Sequence, residues 1–513
     1  MPELLRTDET CFAVAPARGG VIVDADDYYR EAADAIESAK SYVLLTGWQL
    51  ESGACMRRRP EDEGRPRTLR EVIRAACKRN PDLRIYVLAW DWASVYALDR
   101  EWGTRDKLKH AGKGQLEFIY DSNHPPRGCH HDKLLVVDGH TAWVGGIDLC
   151  EHRWDQRSHV DGNRLRRELH GAIYLPYHDM QAVVRGKVVR DLVEHFVQRW
   201  IAADGEPLVL EPEPEPEEAP FCHVSLGNAL VGVARTRGAT LEPMREPVRE
   251  VRALYTEALR SAERLVYIES QYMTSRAMVD ALADRMRDRS RGPLEIVVLL
   301  PACLEGRMEQ MAIESPQRVA LSVIARIAAA NGHGFGAFSP LAPRREEPSG
   351  KSKRERTCPT YIHSKMMIVD DRVLVIGSAN ATNRSMGLDS ELVLAWQAET
   401  EHDDVARGIH ALRVSLLAEH TRVSPDHAMR DLSEIPGLVA HLRALTTLEV
   451  PPLLPMELER EAEQGPIDEL LASLGDPESA ALSEGLFEEI LDRPQGILAK
   501  VVTALHDVAG HRG

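Results

Sequence analysis

The sequence predicts an α/β protein made of two similar halves, and three observations carry that expectation. Apolar runs of strand length, rich in branched residues, alternate with amphipathic runs of helix length, the pattern of a layered sheet covered by helices. A chemically loaded octapeptide occurs twice. His131-Asp132-Lys133-Leu134-Leu135-Val136-Val137-Asp138 and His363-Ser364-Lys365-Met366-Met367-Ile368-Val369-Asp370 share His, Lys and Asp at relative positions 0, 2 and 7. In both copies a glycine follows at +14 (Gly145, Gly377) and an acid or amide at +17 (Asp148, Asn380). Between the copies, residues 210–220 (LEPEPEPEEAP) form a charged, proline-rich stretch without core residues. The expected organisation is a first lobe over 1–209, a linker over 210–220, a second lobe over 221–423 and a helical C-terminal extension over 424–513.

In chain order, the residues before Arg18 hold no apolar segment behind a basic start, so no secretion signal is expected. A helix is expected over 24–40, a strand over 42–50, a helix over 71–79 and a strand over 83–92. A short strand over 115–120 leads through Asn123-His124-Pro125-Pro126 to the first motif. A strand over 174–184 and a helix over 187–203 close the first lobe. The pattern then restarts, with a helix over 247–262, strands over 264–271 and 294–300, and the second motif within 360–369. The segment 340–358 is polar and largely basic and reads as a loop. Acidic helical stretches are expected at 467–474, 483–491 and 496–508.

The net charge of −17 opposes a general nucleic-acid binder, which should be basic. The eight cysteines are scattered without CxxC spacing, as in a reduced, cytoplasmic protein. No apolar run reaches the ~18 residues that a membrane helix needs. Work on lipid would then fall to a protein in peripheral contact with the membrane.

His and Lys two residues apart share one face of an extended chain. A lone His-x-Lys would be coincidence; two copies with matched glycines point to chemistry. Two histidines, two lysines and small polar groups converging on one point suit a phosphodiester. Lys133 and Lys365 supply charge to the non-bridging oxygens, with Gly146, Ser378 and Asn380 as hydrogen-bonding groups. One imidazole attacks phosphorus and the other protonates the departing alkoxide. No metal or other cofactor is required, because fixed cations neutralise the oxygens. Asp138 and Asp370 complete the two catalytic sets, although a structural role at the turn suits them better. Each imidazole needs an orienting partner. Glu391, 28 residues after His363, and Asp179 as its first-lobe counterpart are the candidates. His130 should point away from the site as a packing histidine, and His124, Trp48, Trp90 and Trp92 are candidates for core or cleft wall. Glu269 and Gln271 stand at a strand end near the seam.

The doubled motif resembles the phospholipase D superfamily, in particular its two-motif branch. Thr46-Gly47-Trp48, His130-His131-Asp132-Lys133, Gly145-Gly146-Ile147-Asp148, Arg153-Trp154-Asp155, His178-Asp179, Ile268-Glu269-Ser270-Gln271-Tyr272 and Arg384-Ser385-Met386 support the likeness, which runs from about Val21 to His420. It implies two α/β/α sandwich lobes related by a pseudo-twofold axis, with the site at their seam. It further implies His131 as nucleophile and His363 as acid; the residues alone leave that choice open. The expected activity is cleavage of a phospholipid headgroup through a phosphohistidine, with one chain sufficient for one site. The alternatives are a phosphatidyltransferase of the cardiolipin synthase type and, third, a nuclease-like phosphodiesterase. Asp148, where the family commonly has Asn, and Gly146, where a Ser could stand, depart from the pattern.

Overall fold

A computed structural model describes residues 2–91, 101–168, 171–241, 244–304, 307–344, 357–456, 458 and 475–479. The first lobe runs β1 (Ala13–Val23), α1 (Ala25–Ser38), β2 (Tyr42–Gly47), α2 (Leu69–Arg79), β3 (Arg84–Trp90), α3 (Thr104–Gly112), β4 (Leu116–Asp121), β5 (Leu134–Val137), β6 (Thr141–Gly145), β7 (Tyr177–His178), β8 (Met180–Gly186) and α4 (Val188–Ala202). After the linker come β9 (Val224–Arg237), the short β10 (Thr240–Leu241), β11 (Met244–Arg245) and β12 (Val248–Arg249), then α5 (Glu250–Ser261), β13 (Leu265–Glu269), α6 (Arg276–Arg287), β14 (Glu295–Leu299) and α7 (Arg307–Asn331). The chain continues through β15 (Gly334–Pro343), β16 (Thr357–Pro359), β17 (Tyr361–Ile362), β18 (Met366–Val369), β19 (Val373–Gly377), α8 (Asn383–Gly387), β20 (Glu391–Gln397) and α9 (Asp404–Thr421). It ends in α10 (Pro425–Asp431), α11 (Leu438–Leu445) and β21 (Leu453–Pro455).

The two lobes share one continuous sheet in the order β4-β3-β2-β5-β6-β8-β1-β9-β20-β19-β18-β13-β14-β15. Read outward from its centre, the order is the same on both sides. Three parallel strands (β2, β3, β4; β13, β14, β15) stand outermost, followed inward by the antiparallel motif hairpin (β5–β6; β18–β19). The central pair, β1 with β9, is antiparallel, as a twofold relation between the lobes demands. One face is covered by α4 and α9 over an apolar core that spans both lobes. On the other face α1 to α3 cover the first lobe and α5 to α7 the second. The motif strands read LLVV and MMIV and are wholly buried, which explains their unbroken apolar character.

Two expected strands are each interrupted at a chemically important point. The strand expected over 174–184 breaks at Asp179. β7 pairs with β17 of the other lobe, whereas β8 stays with β6 and β1. The strand expected over 360–369 likewise splits, leaving His363, Ser364 and Lys365 between β17 and β18. The linker carries no helix or strand and is tied to the first motif turn by donation from the Glu213 amide to the Asp138 carbonyl, 2.9 Å. Residues 425–455 pack on the second lobe, with β21 adding an antiparallel strand to β15. The expected helices at 467–474, 483–491 and 496–508, the basic stretch 345–356 and Trp92 lie outside the described residues. Among the described residues no helix is long and apolar enough to cross a membrane.

Asp138 and Asp370, expected with the catalytic sets, stand at the opposite ends of the motif strands from the histidines. Asp138 accepts backbone hydrogen bonds from Lys40 (2.8 Å), Ser41 (2.8 Å) and Tyr42 (3.1 Å). Asp370 accepts from Glu263 (2.7 Å), Arg264 (2.7 Å) and Leu265 (2.8 Å). Both have positive φ, 54° and 56°, which short polar side chains tolerate in a hairpin turn. Each carboxylate thereby fixes the start of the neighbouring strand, β2 or β13, against its motif hairpin. Asp138→Ala would strand three amides. It is expected to lower the unfolding free energy by about 2–3 kcal/mol, read by denaturant titration, while the folded fraction keeps turnover of the same order.

Candidate active site

The motif histidines meet at the seam because each is held by the other lobe. The His131 amide donates to the Ser390 carbonyl (2.9 Å) and the His363 amide to the His178 carbonyl (2.8 Å). The residue after each of these carbonyls supplies the carboxylate. His131 Nδ1 meets Glu391 Oε2 at 3.0 Å, and His363 Nδ1 meets Asp179 Oδ2 at 2.6 Å. Glu391 and Asp179 thus each meet a motif imidazole, but exchanged: each stands on the histidine of the opposite lobe rather than that of its own. A carboxylate on Nδ1 fixes the ring and leaves Nε2 for chemistry. His131 also lies within electrostatic reach of His363.

Burial dominates the electrostatics. It pushes both motif imidazoles well below their usual range, and Lys133 and Lys365 push further in the same direction. It pushes the Asp179 carboxyl up to about 7 and the Glu391 carboxyl up to about 8. Ser378 and Ser385 oppose that rise by donating to the Glu391 carboxylate, Ser385 Oγ at 2.6 Å. In each carboxyl–imidazole pair, burial thus opposes the charged form of both partners.

The lysines lie against the motif backbone. Lys133 Nζ donates to the His131 carbonyl at 2.9 Å, and Lys365 Nζ donates to the His363 carbonyl. Asp148, the unusual acid at +17, forms an ion pair with Lys133 (3.2 Å) and accepts from the Trp48 amide (2.9 Å). That pairing answers how a carboxylate is accommodated there. Asn380 holds the same repeat position in the second lobe, with a buried Oδ1 that makes no hydrogen bond within the described residues. Burial, with Lys133 adding to it, lowers Lys365 to about 7 against the pull of Asp179.

Two of the expected phosphate-binding groups are committed elsewhere. The Ser378 hydroxyl is fully buried and donates to Glu391. The Gly146 amide donates to the Met180 carbonyl at 3.1 Å. What Gly146 provides instead is room, since a Cβ there would stand 2.1 Å from Asp179 Oδ1. The first lobe thus combines Gly146 with the shorter Asp179, whereas the second combines Ser378 with Glu391.

The residues on either side of His131 are engaged with other partners. His130 is buried between Asp121 (3.1 Å) and the Ser390 hydroxyl (2.6 Å). Asp132 ties the motif to α4 through His195 (3.0 Å) and Arg199 (2.6 Å). Glu269 holds His178, His420 and Ser364, and Gln271 donates to the Tyr361 hydroxyl; neither is hydrogen-bonded to His131 or His363. His124 accepts from the Trp90 indole at 3.0 Å, and Trp90 stacks on Trp48 at 5.8 Å, forming an aromatic wall near Asp148. Arg153 was legible only as part of a supporting stretch. Its guanidinium lies 5.1 Å from the centroid of the Tyr177 ring, which is itself 5.4 Å from His363, and its charge acts on His363 and Lys365. It adds a third cation to the site.

The family whose description is Phospholipase D matches this sequence over residues 35–215 and 332–448, more than half of the chain and both motifs. The chain belongs to the phospholipase D family. Curated relatives include phospholipase D A of Dictyostelium discoideum, 25% identical over 470 residues (79% of this chain, 35% of that protein). Phospholipase D alpha 2 of Oryza sativa is 25% identical over 547 residues (80% and 66%). The chain spans between a third and two thirds of the length of these relatives. Among solved structures, phosphatidylserine synthase of Haemophilus influenzae aligns over 90% of this chain and 94% of its own at 12% identity, with a TM-score of 0.49.

The Gly146–Asp179 contact gives a direct test. Gly146→Ala forces Asp179 to move by about 1 Å and His363 with it, which is expected to lower kcat/KM on the order of 10²-fold. Gly145→Ala is no control, because its Cβ would meet the Met180 carbonyl at 2.4 Å. Asp179→Ala in the Gly146→Ala background supplies one: removing the clash should restore thermal stability but not rate.

Proposed function

We propose that this protein is a phospholipase D acting on membrane phospholipids, releasing the headgroup alcohol and phosphatidic acid. The observation that carries the reading is the exchanged pairing: two imidazoles from two lobes, each with Nδ1 on a carboxylate of the other lobe, flanked by Lys133 and Lys365. In this scheme the lysines and Arg153 draw the non-bridging oxygens into the seam. His131 Nε2 attacks phosphorus, following the family pattern, while His363 Nε2–H protonates the departing alkoxide. A phosphatidyl–His131 intermediate results. His363, now neutral, takes a proton from water, whose oxygen displaces His131 from phosphorus. Glu391 and Asp179 stabilise whichever ring carries charge. Both motifs lie in one chain, so a monomer suffices for one site. The phospholipid substrate is supported by the names of the relatives, and contact with the bilayer would be peripheral.

The test is incubation with vesicles of phosphatidylcholine, phosphatidylethanolamine or phosphatidylglycerol, with and without glycerol, and mass analysis of the products. Phosphatidic acid is expected in water. Dominance of the glycerol-exchanged lipid would instead favour the transferase alternative. His131→Ala is expected to lower kcat on the order of 10⁴-fold or more, and full activity in that variant would remove the proposed nucleophile.

The pH dependence follows from Lys365. Its ammonium is the catalytically useful form and its pKa stands at about 7, so charge is lost as pH rises through that value. kcat/KM, which reports the free enzyme, is expected to fall on the alkaline side from near pH 7. Lys365→Arg, at a lower rate, should move that limb to higher pH. An unmoved limb would assign it to another group.

A further inference from the structure

Behind the His363–Asp179 pair lies a second cluster that the reaction does not use. Asp24, His159, His178 and Glu419 come from the β1–α1 junction, the loop after β6, β7 and α9, and their side chains are almost wholly buried. One ligand-type atom from each falls within 4.8 Å of all the others. His178 Nδ1 stands 2.8 Å from Glu419 Oε1 and 3.1 Å from Asp24 Oδ1. His159 Nε2 stands 3.0 Å from Glu419 Oε1 and 3.6 Å from Asp24 Oδ2. Four ligands at roughly 2.0–2.1 Å from a tetrahedral ion would be separated by about 3.3 Å, the middle of this range.

Independent evidence comes from the hydrogen bonds that are not made. His178 Nδ1 is fully buried with two carboxylates in reach, yet forms a hydrogen bond to neither. Asp24 Oδ2 is buried and also without a hydrogen-bond partner. A buried polar group left in that state is costly.

The outer atoms of the two imidazoles and of Glu419 are engaged. His159 Nδ1 meets Asp155 Oδ2 at 3.0 Å, and His178 Nε2 meets Glu269 Oε2 at 3.0 Å. Glu419 Oε2 is held by Arg157 Nε at 2.5 Å, while Asp24 Oδ1, the oxygen nearer His178, also accepts from the Asp179 amide at 3.3 Å. A carboxylate on the far nitrogen of each imidazole is the arrangement that orients histidines toward a metal. Asp24 also lines a surface pocket of about 350 Å³, together with Asp26, Asp27, Arg59, Gln156 and Arg157.

We propose that Asp24, His159, His178 and Glu419 form a buried structural site for a divalent transition ion of the zinc class, with two imidazole nitrogens and two carboxylate oxygens as ligands. The mixed N/O donor set and four-coordinate spacing select that class over calcium or magnesium, which prefer more oxygens. The ion would cross-link β1, β7 and α9, and so clamp the first lobe to the second one residue away from Asp179. The proposal is independent of the reaction, because its readout is metal content.

The experiment is elemental analysis of the purified full-length protein, followed by stripping with a chelator and titration with Zn²⁺ and with Co²⁺. Near-stoichiometric zinc is expected, with a Co²⁺ visible spectrum of tetrahedral intensity and a higher melting temperature for the reloaded protein. His159→Gln and Asp24→Asn should lose the metal and the Co²⁺ spectrum while near-ultraviolet circular dichroism shows them folded. His420→Gln, which removes a neighbour on Glu269 but no ligand, should retain both. A wild-type protein that carries no metal and responds to neither ion would overturn the site and leave the cluster as proton-held ion pairs. So would undiminished Co²⁺ binding by His159→Gln.

Discussion

The exchange of acids between lobes is the constraint on which the rest of the structure depends. Glu391 reaches His131 and Asp179 reaches His363, and each bond is accompanied by a backbone hydrogen bond one residue away. Neither imidazole is correctly held by its own half. The continuous sheet through β1 and β9, the parallel β7–β17 pair and the exchange of carboxylates express one requirement, that the halves dock in a single register. The breaks at Asp179 and around His363 follow from it: the chain must leave its own sheet there to enter the other lobe.

The site is a compromise between concentrating positive charge and burying it. The charges of two lysines and an arginine act together on His363, and burying charge is costly. Asp148 supports Lys133 directly, whereas Lys365 has an amide at the same repeat position and is held to about 7. The two motifs are therefore alike in backbone and unlike in electrostatics. That difference suits a reaction in which one imidazole attacks while the other holds a proton.

Much of this was legible in the sequence, because it lay in fixed spacings of chemically distinctive residues. The repeat at 0, 2, 7, 14 and 17 located both histidines, both lysines, Asp148 and Asn380, with Gly146 and Ser378 next to its glycines, and the proline-rich stretch at 210–220 separates the two copies. What could not be read was direction across the seam. Nothing in the spacing of Glu391 from His363 says that the carboxylate serves His131, because that depends on how two lobes dock. The roles of Ser378 and Gly146 were hidden for the same reason: both are defined by Glu391 and Asp179, brought up by β20 and the β7–β8 break. The central strand β9 drew no expectation, since only part of its length is buried and its pattern is broken by exposed residues. Asp138 and Asp370 were placed with the catalytic sets by the repeat and belong, by their three backbone bonds each, to the strand ends.

The central claim is tested most directly by nitrogen NMR of the protein labelled at histidine, comparing wild type with Glu391→Gln and Asp179→Asn. The exchanged pairing predicts that Glu391→Gln shifts the Nδ1 resonance of His131 and leaves that of His363 in place. Asp179→Asn should do the reverse. A shift of His363 on changing Glu391, with His131 unmoved, would contradict it.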